Sequence, residues 1–66
     1  MNTQTIDFKL ECIKNGKFVK GHVKELKEYI SELRLTSHNF RGTNISEIAE
    51  KTANNIESRL SKVESN

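Results

Sequence analysis

Apolar residues recur along this chain in two different rhythms. Across residues 5–20 they alternate with polar ones: Ile6, Phe8, Leu10 and Cys12 are separated by Asp7, Lys9 and Glu11. A period of two marks a strand with one buried face. Asn15-Gly16 follows, a pair suited to the two positive-φ positions of a type I′ turn. Phe18, Val19 and Lys20 then continue as a second strand, and the chain has no proline to interrupt either ladder. A two-residue loop sets Ile13 opposite Phe18, Cys12 opposite Val19 and Glu11 opposite Lys20. Opposed residues share a face. Val19 therefore joins Ile6, Phe8, Leu10 and Cys12, while Ile13 and Phe18 lie together on the other side.

From residue 22 the rhythm becomes helical. Gly21-His22 reads as a break, and a helix is predicted over about 22–34. Its Val23, Leu26, Ile30 and Leu33 fall within an arc of about 120°. The polar stretch 35–43 reads as a loop, with Phe40 returning to the core. A second helix is predicted over about 44–63, with Asn44 as N-cap and Glu47 three residues later. Ile45, Ile48, Ala49, Thr52, Ala53, Ile56, Leu60 and Val63 share an arc of about 140°, with Arg59 intruding. The predicted fold class is α+β: an N-terminal β-hairpin followed by two antiparallel-packed α-helices (ββαα), one small domain over residues 1–66.

The second helix would be about 28 Å long and the first about 19 Å. The far end of the longer one is thus left without a cover in its own chain. Ile56, Leu60 and Val63 become packing or dimer candidates, and Arg59 either reaches water or meets a partner's carboxylate.

Composition strengthens the expectation of a partner. Sixty-six residues, 33% hydrophobic and 6% aromatic with no Trp, make a thin core. Cys12 is the only cysteine, so no intrachain disulfide braces it. Cys12, His22 and His38 lack the paired spacing of a metal site, and no cofactor is expected. The glycines stand apart at 16, 21 and 42, which excludes a phosphate-cradling loop. The carboxylates lie on solvent faces. No catalytic constellation is present, and the chain is not expected to be an enzyme. There is no apolar run of membrane-spanning length and no signal-peptide pattern at Met1–Asp7. With a lone free thiol, the expected location is cytoplasmic.

The net charge is only +2, but its distribution is uneven. Between Lys9 and Lys24 stand five lysines and one acid, Glu11. Ile13, Phe18, Lys14, Lys17 and Lys20 are therefore candidate partner contacts. Arg41 joins them from a second acid-free stretch, Leu33 to Ser46, and Arg59 from the second helix.

Ile45-Ser46-Glu47-Ile48-Ala49-Glu50-Lys51-Thr52 resembles the first helix of bacterial helix-turn-helix domains, and Ile56-Glu57-Ser58-Arg59-Leu60 their recognition helix. That family places about ten residues and a turn between the helix-one alanine and the recognition-helix aliphatic. Here Ala49 to Ile56 is seven residues, two turns of one continuous helix. The run Ser46-Glu47-Ile48 also resembles the second helix of ribbon-helix-helix repressors. This second resemblance implies an intertwined dimer with a two-stranded ribbon in the major groove.

The leading expectation is a small binding protein that docks on another protein, host or self, as an accessory regulator or inhibitor of the phage or mobile-element type. A homodimer is part of that expectation. The alternative is a dimeric DNA-binding transcriptional regulator, ribbon-helix-helix-like or with a basic β-hairpin, holding phosphates with Lys14, Lys17, Lys20 and Arg41.

Overall fold

The computed structural model describes residues 2–65, Ser65 for its backbone alone. Met1 and Asn66, the ends of the expected 1–66 domain, lie outside the described residues. Three helices follow one another: α1 (Thr3–Lys14), α2 (Val19–Asn39) and α3 (Asn44–Ser65). No strand occurs among the described residues. This overturns the α+β class and the hairpin expected at about 5–20.

The reason lies in the same residues that suggested a strand. Ile6, Leu10 and Ile13 also stand at i, i+4 and i+7, the spacing of a helix face. All three are buried, whereas Phe8, which a strand would bury beside them, is 63% exposed. Asn2 starts the helix by accepting the Thr5 N–H at 2.8 Å through Oδ1, which satisfies one of the orphan first-turn amides.

Asn15-Gly16 ends α1 instead of reversing a hairpin. The Gly16 N–H donates to Ile13 O at 3.1 Å and the Lys17 N–H to Cys12 O at 2.8 Å. That pair of bonds is a Schellman motif, with Gly16 at φ 76°. A positive-φ glycine serves both a type I′ turn and a helix C-terminus, so the dipeptide alone does not choose between them.

α2 begins at Val19, three residues before the expected start at 22, so Gly21 lies inside it. It also continues past Arg34 to Asn39, leaving only residues 40–43 as the connection. Phe40 stays 49% exposed and does not return to the core. α3 matches the helical stripe from Ile45 to Val63, but its cap is Thr43, one residue before the expected Asn44. Thr43 Oγ1 accepts the Ser46 N–H at 3.3 Å and donates to Phe40 O at 2.6 Å. Thr52 sits on the apolar stripe with its hydroxyl satisfied by Ile48 O at 2.8 Å.

α2 and α3 form an antiparallel hairpin. Ser46 Oγ donates to Ser37 O at 2.7 Å, and Arg34 meets Glu57 at 2.8 Å. α1 folds back along this pair. Leu26 and Ala53 are completely buried at the centre, with Ile6, Leu10 and Ile13 on one side and Ile30, Ile56 and Leu60 around them. Each large aliphatic side chain there contributes about 1.5–3 kcal/mol relative to exposure. The result is a rod, 39 × 17 × 17 Å.

Candidate functional site at the α1–α2 corner

The tight connection between α1 and α2 brings three rings together. Phe8 comes from α1, Phe18 from the connection and His22 from the first turns of α2. The His22 ring meets Phe8 edge-on, with centroids 6.2 Å apart and planes at 85°. It meets Phe18 in the same way at 6.3 Å and 88°. Such edge contacts are worth about 0.5–1.5 kcal/mol each. His22 Nδ1 is buried and has no hydrogen-bond partner among the described residues.

Among the described residues Phe18 is the one residue other than glycine with a positive φ. Its backbone is left-handed, φ 51° and ψ 38°, and it caps α2 without any side-chain hydrogen bond. For a residue with a Cβ that conformation costs about 1–2 kcal/mol. The side chain is also 84% exposed, so burial of its ring does not offset the strain. What the conformation does is present the ring outward at the corner.

Charge surrounds these rings. Lys14 closes α1, Lys17 lies in the connection and Lys20 opens α2, and all three are exposed. Lys9, on the inner side, is paired with Glu25 of α2. That hydrogen bond and the lysine charge hold the Glu25 carboxyl below its ordinary range, with a smaller contribution from His22. A second acid nearby, Glu11, accepts a hydrogen bond from Asn15 at 3.5 Å. The corner is thus apolar at its tip and cationic around it.

The structure gathers Phe18, Lys14, Lys17 and Lys20 here and puts the other expected contacts elsewhere. Ile13 faces the core at 5% exposure, because a helix turns it inward where a hairpin would have left it outside. Arg41 lies beyond the other end of α2, bonded to His38 Nδ1 at 3.4 Å. The length of α2, about 31 Å, separates it from the lysines. Arg59 meets Asp7 of α1 at 2.7 Å, a carboxylate of its own chain. Ile56 and Leu60 are buried and Val63 packs against the same cluster. The far end of α3 is covered after all, by α1.

Two members of the corner do not stand out in the sequence. Alternation places Phe8 on the buried face of a strand, and His22 reads only as the end of an element. The available signal is that Phe8 falls off the Ile6–Leu10–Ile13 helical line. An open depression of about 680 Å³ runs from Lys20 along α2 and has Val23 as its only apolar lining residue. Among the described residues no three His, Cys, Asp or Glu side chains stand close enough to hold a metal ion. No helix there is long and apolar enough to cross a membrane. Comparison with protein-family models, with curated proteins and with solved structures found no match.

Proposed function

We propose that this chain is a non-enzymatic docking protein that binds an acidic surface of another protein through the α1–α2 corner. Phe8 and Phe18 would enter the partner as apolar anchors, and Lys14, Lys17 and Lys20 would pair with its carboxylates around them. The effect on the partner is occlusion, as an accessory regulator or inhibitor. The observation that carries this reading is Phe18: a strained backbone that holds an aromatic ring in water. Aromatic anchors ringed by polar contacts are what dominate the energy of protein interfaces. The reading includes a cytoplasmic location, supported by the single unpaired thiol, Cys12.

Phe18→Gly separates function from folding. Glycine adopts φ 51° freely, which offsets the lost ring contact with His22 and the greater freedom of the unfolded chain, so the variant should stay within about 1 kcal/mol of the parent. It should nevertheless lose binding. The measurement is capture of partners from the native host by wild type, by Phe18→Gly and by a triple Lys14, Lys17, Lys20→Glu variant, each with and without nuclease. A protein that survives nuclease and is lost by both variants supports the proposal. Capture that depends on nucleic acid, or that is equal for all three proteins, overturns it.

A further inference from the structure

α1 covers only part of the α2–α3 hairpin. Its twelve residues make about 18 Å of helix, against about 31 Å for α2 and about 33 Å for α3. It lies toward the start of α2, because only residues 15–18 join the two. Its contacts mark the side it covers. Asp7 meets Arg59 on α3, while Phe8 and Lys9 meet His22 and Glu25 on α2.

Eleven residues of α-helix complete about three turns, so residues eleven apart stand on one line. Eleven before Ile56, Arg59 and Val63 stand Ile45, Ile48 and Thr52; eleven after His22 and Glu25 stand Leu33 and Thr36. The side occupied by α1 therefore continues past its N-terminus as a trough between α2 and α3. Ala49 is buried at this end of the hairpin, and Phe40 follows directly on the end of α2. Three large apolar side chains there are open to water: Phe40 at 49%, Ile45 at 53% and Ile48 at 65%. On the α2 lip Glu32 stands two turns beyond Glu25, so that lip stays acidic; on the α3 lip Ile48 takes the place of Arg59, so that lip is apolar.

We propose that this trough is a second docking site, and that it takes an amphipathic helix of a partner protein laid end to end with α1. α1 itself shows what fits: aliphatic residues at i, i+4 and i+7, with an ammonium toward the acidic α2 lip as Lys9 has toward Glu25. A second copy of this chain is a poor occupant. Its matching helix already buries Ile6, Leu10 and Ile13 on itself, and two concave troughs face to face leave a void between them. A convex helix fills the trough, the helix-in-groove mode of recognition. The site lies at the opposite end of the rod from the Phe18 corner and stands independently of it. A chain using both would hold two partners together.

The test titrates the full chain with a synthetic peptide of residues 2–14 carrying Cys12→Ala, followed by amide NMR shifts. Saturable shifts are expected at Phe40, Ile45 and Ile48, with α1 and the corner unmoved. Ile48→Asp should weaken binding at least tenfold while the helical circular dichroism stays unchanged, and Phe40→Ala should weaken it by a smaller factor. The proposal is overturned by any of three results: no saturation up to millimolar peptide, shifts centred on α1 because the peptide displaces it, or sedimentation showing a dimer whose contact is broken by Ile48→Asp.

Discussion

Gly16 and Gly21 show how one residue type carries opposite energetic meanings a few positions apart. Gly16 holds φ 76° at the end of α1, while Gly21 lies within α2. Neither has an atom within 4 Å of where a Cβ would stand, so only the backbone distinguishes them. Gly16→Ala should destabilise by about 1 kcal/mol, since alanine is strained at positive φ. Gly21→Ala should stabilise by about 0.5–1 kcal/mol, by reducing the freedom of the unfolded chain. Urea unfolding of both variants measures the difference, and equal effects would contradict a left-handed Gly16 beside a helical Gly21. Phe18 belongs with Gly16 in its backbone and with neither glycine in its side chain. That mismatch between a glycine-like conformation and an aromatic residue is what singles it out.

At the scale of elements, α1 is where strand and helix compete for one segment. In a strand Phe8 and Leu10 share a face, so truncating either would cost a similar amount. In the helix Leu10 is 4% exposed and Phe8 63%. Leu10→Ala should therefore cost about 2–4 kcal/mol, and Phe8→Ala only about 0.5–1.5 kcal/mol, the loss of its edge contact with His22. Thermal unfolding of the two variants decides it; matched losses would restore the hairpin. α3 was legible because its stripe runs for five turns without a competing period. α1 was not, because four alternating residues and a three-residue helical face fit the same short run. Periodicity over so few residues does not discriminate. Asn15-Gly16 then lent the hairpin false support, because its chemistry suits both outcomes.

Three helices of unequal length are held across their seams by ion pairs. Lys9–Glu25 joins α1 to α2, Arg34–Glu57 joins α2 to α3, and Arg59–Asp7 joins α3 to α1. Glu25 and Glu57 are held below their ordinary pKa of 4.5, chiefly by the hydrogen bonds from Lys9 and Arg34. A carboxyl depressed in the folded state stabilises fully above its unfolded pKa, and that contribution is lost as pH falls through the folded value. Wild type should thus lose thermal stability between roughly pH 5 and pH 3. A Glu25→Gln, Glu57→Gln variant should show a shallower loss over the same range; identical slopes would show that these pairs carry no linkage. The sequence by itself determined that the chain is short, thinly cored, without an intrachain disulfide, and built around a long amphipathic helix from Asn44. Local period, composition and capping chemistry are enough for those features. Only the tertiary structure decided that residues 3–14 are helical, that they cover Ile56 and Leu60, and that Phe8 and Phe18 meet at one corner. Those outcomes depend on which faces can be buried together. A face turned inward in α1 becomes the right choice only once α2 and α3 supply the groove that receives it.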